Sequence, residues 1–344
     1  MRIVVTGATG NLGTSVVARL LADPAVDSVV GLARRLPTWP VPEVEWRAAD
    51  VRAADLARIV EGADAVVHLA WAFGPTHRPA VTWDVNVAGT ARLLDAVAST
   101  GVPGLVVASS VGAYSPSTSG TPVEESWPTH GWSPAAYCLE KAYVERMLDA
   151  FEVAHPAVAL ARMRPAFLFK APAALEQARI FAGRLAPVRL IGKAGLPLSP
   201  AIPGLRFQAM HTDDAADAFA LAATTAATGP FNLAAGPVVD SAVIAGIFGG
   251  RRVRIPASLV RGMLAAAWRA RAVPTDPNLF DYLMKVPLLD SGRARRELGW
   301  RPQWSSVEAL RELRHGLAQG RGFPTPPLQP QPALVGERSD RAEE

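Results

Sequence analysis

The chain has 344 residues, of which 49% are apolar and 19% charged, with a formal net charge of +4. That balance describes a soluble globular protein long enough to bury a sizeable core. The small cationic excess forms no basic tract, which excludes a dedicated nucleic-acid binder, and the single cysteine, Cys138, excludes an internal disulfide and a cysteine-based zinc cluster.

The N-terminus MRIVVTGATG has no long apolar signal core and no run reaches the length of a membrane span, so a cytoplasmic location with no membrane partner is expected. In chain order, RIVVT (2–6), SVVGLA (28–33), VEWRA (44–48), DAVVHLA (64–70), LVVAS (105–109) and VALARM (158–163) read as strands. Amphipathic stretches such as LGTSVVARLLA and VAGTARLLDAVAST lie between them. Apolar strands alternating with helices of this length predict βαβ units: a doubly wound parallel sheet of α/β class, covered on both faces.

After Pro165 the rhythm loosens. A helix is expected over 173–185, then a Pro/Gly-rich loop over a site, GKAGLPLSPAIPGLRF. HTDDAADAFALAATTA has helical spacing with Thr212 or Asp213 as N-cap. FNLAA (231–235) and RRVRIP (251–256) read as strands, and 257–272, 276–285 and 305–318 as helices. The Pro-rich composition beyond Arg321 predicts a disordered tail over 321–344. The expected organisation is a dinucleotide-binding domain over 1–165 and a smaller, mostly helical substrate-binding region over 166–320. Segments of that region, about 207–235, return to the first domain.

TGATGNLG follows the first strand and opens the first helix. Glycines at 7, 10 and 13 let the backbone turn tightly and approach a pyrophosphate resting on the helix N-terminus. Gly7, Thr9, Gly10, Asn11, Leu12 and Gly13 are therefore cofactor-binding candidates in a Rossmann arrangement. At the end of the second strand, GLARR offers Arg34 and Arg35 in place of a ribose-binding carboxylate. That favours NADP, with NAD retained as the alternative. Asp50 of AADV has two readings, an acceptor for the adenine amino group or a helix N-cap for 51–61.

YCLEK, residues 137–141, places a tyrosine and a lysine four apart on one helix face. Of the 35 cationic side chains only four are lysines, so a lysine here is informative. A free phenol is a poor base at neutral pH, and an ammonium beside it favours the phenolate and lowers its pKa.

These pieces, in order with HLAW (68–71), NVAGTARLLDA from Asn86, ASSVGAY (108–114), RMRPA (162–166), HTDDAADAF (211–219), FNLAAG (231–236) and ELGWRP (297–302), resemble the extended short-chain dehydrogenase/reductase superfamily, NAD-dependent epimerase/dehydratase branch. The resemblance covers roughly residues 2–318. It implies Tyr137 as general acid/base, Lys141 as its partner and as a donor to the nicotinamide ribose, and Ser110 as the hydroxyl holding the reacting oxygen. Asn86 would order the active-site helix and a water. It further implies cofactor contacts at Val51 beside Asp50, at Leu69, Ala70 and Trp71, and at Pro165. A homodimer through the helix bearing Tyr137 is common in such folds.

The implied chemistry is hydride transfer between nicotinamide and a carbonyl or secondary alcohol. The acidic pair that the resemblance associates with water elimination is absent, since Val111 and Gly112 follow Ser110. Ketone or aldehyde reduction ranks first, then nucleotide-sugar epimerisation through a transient ketone, then a catalytically silent NAD(P)-binding sensor, against which the retained Ser110, Tyr137 and Lys141 speak. Cationic candidates for a diphosphate are Arg179, Arg184, Arg189, Lys193 and Arg206. Trp71, Phe73, Trp127 and Trp132 flank the catalytic pieces instead, and SLVRGMLAAAW (258–268) reads as an apolar lid. The substrate-binding set is Trp71, Phe73, Val111, Trp132, Phe167 and Arg206. Cys138, beside the base, is either a thiol whose alkylation blocks activity or a small buried filler. No metal is expected, because His211, Asp213 and Asp214 point apart in a helix's first turn.

Overall fold

Strands with apolar residues at consecutive positions leave no polar face, which is stable only where helices cover both sides. The computed structural model, which describes residues 1–39, 41–73, 77–183 and 186–329, shows this arrangement. The strands of the first half are β1 (Arg2–Thr6), β2 (Ser28–Ala33), β3 (Val44–Ala48), β4 (Ala65–His68), β5 (Gly104–Ala108) and β6 (Ala159–Pro165). Short strands follow: β7 (Phe167–Phe169), β8 (Leu198–Ala201), β9 (Arg206–Phe207), β10 (Ala209–His211), β11 (Gly229–Leu233), β12 (Val239–Asp240) and β13 (Arg251–Arg254). Seven of them form one parallel sheet in the order β11-β6-β5-β4-β1-β2-β3. Thr6 at the end of β1 lies opposite Leu32 on one side and His68 on the other.

The first half carries helices α1 (Asn11–Leu21), α2 (Leu56–Val60), α3 (Pro79–Trp83), α4 (Gly89–Thr100) and α5 (Ala136–Ala154), with a π-helical turn, Asp84–Ala88, between α3 and α4. The second half carries α6 (Ala174–Ala182), α7 (Val188–Ala194), α8 (Thr212–Thr224), α9 (Ser241–Phe248), α10 (Ala257–Arg269), α11 (Pro277–Leu283), α12 (Gly292–Glu297) and α13 (Ser306–Gln319). Alternate residues of each strand feed opposite faces. Ile3, Val5 and Val67 pack with Val16, Val17 and Leu20 of α1 and Phe219 of α8. Val4, Val66 and Leu105 pack on the other face with Leu56, Leu93, Val97 and Leu148. No helix among the described residues is long and apolar enough to cross a membrane.

Four local expectations are corrected. The segment 192–207 is not one loop, because β8 pairs with β13 and β9 with β12. Backbone pairing there outweighs the local Pro/Gly signal. Helix α8 is capped by His211, whose ring nitrogen accepts from the Asp213 N–H, rather than by Thr212 or Asp213. The helix after β3 starts only at Leu56, capped by Asp55, so Asp50 closes a turn by accepting from the Arg52 N–H.

The fourth correction concerns the predicted tail. Residues 321–329 return to the first half of the chain, while 330–344 lie outside the described residues. Thr325 donates its hydroxyl to the Thr9 carbonyl at 2.8 Å, Phe323 stands edge-on to Trp39 with centroids 4.8 Å apart, and Leu328 is buried. An average over a Pro-rich stretch hides the three side chains that find partners. Leu328→Ala is expected to destabilise the protein by about 2 kcal/mol in urea unfolding, whereas an unfolded segment would leave the midpoint unchanged.

Candidate active site

The glycine loop turns out of β1 at Gly7, whose φ is +68°. A Cβ there would sit 2.7 Å from the Ala70 nitrogen, so only glycine lets the loop pass the end of β4. The Gly10 N–H donates to the Gly7 carbonyl at 3.1 Å. No side chain caps the start of α1, so its first N–H groups are available to an anion. Thr6 Oγ1 accepts from the N–H groups of Leu69 and Ala70 and fixes the next loop beside this cradle. Arg34 and Arg35 are exposed just beyond β2. Asp50 is occupied by Arg52, whose hydrogen bonds lower its pKa to about 2 against burial, with the charge of Arg34 adding to the effect. Val51 is buried and packs under Gly89.

Tyr137 stands in the first turn of α5 and faces the short turn Val111–Ala113. A Cβ on Gly112 would lie 2.6 Å from the Tyr137 ring, so this position admits only glycine. Ser110 accepts from the Gly112 N–H at 3.0 Å, and its hydroxyl and the Tyr137 ring both lie against the Gly112 position. Ser109 points away, donating to Glu145 at 2.5 Å. The structure thus brings Ser110, not Ser109, to Tyr137. Tyr282 of α11 pins the turn from above, donating to the Val111 carbonyl at 2.6 Å.

Lys141 is buried and donates to the Ala108 carbonyl at 2.7 Å, with its ammonium 3.3 Å from the centroid of the Trp71 ring. Burial lowers its pKa to about 7, opposed by Glu145 and then Glu140. Tyr137 moves the other way. Burial raises its pKa well above the usual phenol range; the Ser110 hydroxyl opposes this, and Cys138 and Glu140 add to it. The expectation that Lys141 makes the phenol more acidic is therefore corrected: its ammonium rests on Trp71, and enclosure dominates at the phenol.

Asn86 is held by the π-helical turn and is fully buried. Its Oδ1 accepts from the Ala72 N–H at 2.6 Å, and its Nδ2 donates to the Ala72 carbonyl and, at 2.6 Å, to Glu140 Oε2. Thr82 donates to Glu140 Oε1 at 2.6 Å. Behind Asn86, Thr90 gives its hydroxyl proton to the Asn86 carbonyl at 2.5 Å. It must therefore accept from His68 Nε2 at 3.0 Å, which leaves His68 Nδ1 to accept from Thr6 at 2.7 Å. Burial holds His68 far below its usual pKa, to about 3, so the neutral ring this chain of bonds requires persists through the ordinary pH range.

Sequence reasoning missed two buried carboxylates of α5 and one arginine. Glu140 lies inside YCLEK itself, and Glu145 lies four residues beyond Lys141 on the same face, a spacing that flags it. Arg164 on β6 donates to both oxygens of Glu145 at 2.8 Å and to the Tyr114 hydroxyl at 2.9 Å. Burial pushes the Glu145 pKa up, but the hydrogen bonds and charge of Arg164 hold it below the usual range.

The walls are apolar. Phe73 meets Tyr137 edge-on at 4.8 Å, Phe181 meets Phe73 at 5.7 Å, and Trp71 lies 6.1 Å from Tyr137. On the other side Tyr137, Trp132 and Phe167 pack on one buried cluster that includes Val111 and Cys138. Pro165 ends β6 in the buried sheet. Cys138 is a buried filler whose thiol is pushed up by burial, so the reading of it as a reactive thiol finds no support. Trp127 is partly exposed and donates to the Ser115 carbonyl. The arginines are scattered: Arg206 donates to the Ser119 carbonyl, Arg189 lies against Gly320 after α13, and Arg179 faces Glu176. Lys193 is exposed on α7, and Arg184 lies outside the described residues. His211 stacks on Trp304 and accepts from the Asp213 N–H, the Asp213 carboxylate accepts from Ser15, and Asp214 accepts from the Gln303 and Trp304 N–H groups.

A nicotinamide dinucleotide fits what is present: an uncapped helix start beside a glycine-only turn, and the buried indole nitrogen of Trp71, which has no hydrogen-bond partner. The profile of the NAD dependent epimerase/dehydratase family matches residues 3–234. An uncharacterized protein of Mycobacterium tuberculosis is 30% identical over 318 residues, covering 91% of this chain; the chain spans only 30% of that relative's length. A UDP-glucose 4-epimerase of Neisseria meningitidis is 30% identical over 169 residues, covering 45% of this chain and 49% of its own. Among solved structures, DesIV, a dTDP-glucose 4,6-dehydratase from Streptomyces venezuelae with NAD bound, superposes with a TM-score of 0.70 at 22% identity. That match covers 93% of this chain and 97% of DesIV, and shares the fold.

Proposed function

The chain belongs to the NAD dependent epimerase/dehydratase family, and we propose that it is an NAD(P)-dependent oxidoreductase acting on a carbonyl or secondary alcohol, with Tyr137 as acid/base. The observation that carries the proposal is the packing of the Tyr137 ring and the Ser110 hydroxyl around Gly112, together with an uncapped helix start suited to a dinucleotide. The glycine loop would hold the pyrophosphate, and Lys141 and Trp71 would face the nicotinamide end. When bound, the cofactor supplies or accepts a hydride. Ser110 holds the reacting oxygen and Tyr137 moves its proton. A phenol kept protonated at neutral pH by burial suits proton donation to an oxygen that gains charge, the direction of carbonyl reduction.

The substrate supported best is apolar or semi-polar, because Phe73, Phe181 and Trp132 surround Tyr137 while Arg189 and Arg206 are engaged elsewhere. Nucleotide-sugar epimerisation is the second reading, favoured by the partial identity to a UDP-glucose 4-epimerase. Arg34 and Arg35, exposed after β2, favour NADP over NAD. A homodimer and a cytoplasmic location belong to the same proposal.

Tyr137→Phe is expected to bind reduced cofactor as the wild type does yet lose at least about 100-fold in kcat over a panel of aldehydes and ketones. Unchanged turnover would overturn the assignment. In the same tryptophan-quenching titrations, replacing Arg34 and Arg35 by Ala should weaken NADPH about tenfold and leave NADH unchanged. Equal effects on both would point to NAD.

A further inference from the structure

The mechanism proposed above leaves Glu140 unused, yet it is among the most enclosed carboxylates near the site, 2% exposed. An enclosed carboxylate is stable only where donors meet its oxygens, and here both are met. Thr82 of α3 reaches one oxygen and Asn86 of the π-helical turn the other, each at 2.6 Å. Asn86 grips both backbone groups of Ala72. Ala72 stands between Trp71, whose face carries the Lys141 ammonium, and Phe73, whose ring closes on Tyr137. The contacts form a closed circuit: α5 to Asn86, Asn86 to the loop after β4, and that loop back to the two functional side chains of α5.

We propose that Glu140 is a positioning residue of the reaction centre: through Asn86 it fixes the loop bearing Trp71 and Phe73 against Tyr137 and Lys141, and its negative charge acts on Lys141. The proposal rests on Tyr137 and Lys141 being the working pair. The circuit explains why a carboxylate, rather than any side chain of similar size, stands beside the lysine. The two donors that converge on it require an acceptor at each oxygen, and burial of a charged lysine in the same helical turn favours negative charge nearby. The other charged or titratable groups around Lys141 are Tyr137 and Glu145 on α5, Arg164 and Arg162 on β6 through Glu145, and His68 on β4, which stays neutral. Glu145 is already committed to Arg164, Ser109 and Arg162. Glu145 and then Glu140 both favour the charged form of Lys141, and of the two only Glu140 has no arginine in its circuit. Lys141 also acts on Glu140, opposing the rise that burial gives its pKa.

The test uses the whole chain with its lysines carrying carbon-13 at Cε; only four lysines exist, and Lys141→Arg assigns the resonance. In Glu140→Gln the titration midpoint of Lys141 should fall by at least about 0.5 pH unit, because a field favouring the ammonium is gone. Glu140→Asp keeps the charge but shortens the reach to Asn86. It should hold the midpoint near the wild-type value while the Ala72 amide exchanges with deuterium at least tenfold faster. A midpoint unmoved in Glu140→Gln, or Ala72 exchange unmoved in Glu140→Asp, would overturn the proposal. Should Glu140→Gln fail to fold, the Glu140→Asp exchange result decides alone. Neither readout needs turnover. If the wild type binds neither NADH nor NADPH in quenching titrations, the oxidoreductase reading fails while the role of Glu140 is still decided.

Discussion

A lysine amine held inside the protein is the constraint around which this site is organised. Lys141 donates to a backbone carbonyl and lies on an indole face, with a carboxylate beside it in sequence and another one helical turn away. A buried cation is tolerated only when its surroundings replace water. Here the replacements come from separate elements: Ala108 at the end of β5, Trp71 after β4, and Glu140 and Glu145 on α5. None of them can shift without exposing charge to an apolar interior. The sheet register that sets β4 beside β5 thereby becomes part of the chemistry.

The same logic extends outward. Glu145 is ionised in the interior because Arg164 reaches across from β6, and Arg164 in turn holds Tyr114, which donates to Asn232 on β11. The last strand of the sheet, supplied from the second half of the chain, is thus tied to the turn that carries Ser110. On the other side the bonds Thr6–His68–Thr90–Asn86 run beneath the site from β1 to the π-helical turn. That turn, an irregularity within otherwise continuous helix, holds Asn86 between Ala72 and Glu140. Irregular helix of this kind is frequent at functional sites.

Much of the fold was legible in the sequence. RIVVT and SVVGLA are strands with the bounds their residues suggest, because buried parallel strands advertise themselves as apolar runs, and VEWRA at the sheet edge keeps its expected bounds as well. The family was legible because the glycine loop and YCLEK stand in order and in context, and the family match over residues 3–234 agrees. What composition could not show was pairing at a distance. Segment 192–207 reads as loop until β13 and β12 arrive to pair with it, and the Pro-rich stretch after Arg321 reads as tail until Thr325 reaches Thr9. At the site, residue types were readable but environments were not. The pattern Tyr-x-x-x-Lys implies an ammonium that acidifies a phenol, whereas the structure encloses both and spends the ammonium on Trp71. Glu140 was in plain view and passed over, because a carboxylate in a helix normally signals a solvated face.

The proposal that Tyr137 completes a hydride transfer is tested most directly by following the hydrogen itself. The protein would be incubated with reduced cofactor carrying two deuteriums at nicotinamide C4 and with an aldehyde or ketone that it consumes, and the alcohol analysed by mass spectrometry. One deuterium on the former carbonyl carbon is expected with the wild-type chain, and only background with Tyr137→Phe. Alcohol formed without deuterium, or labelled equally by both proteins, would contradict a hydride transfer completed by the Tyr137 proton.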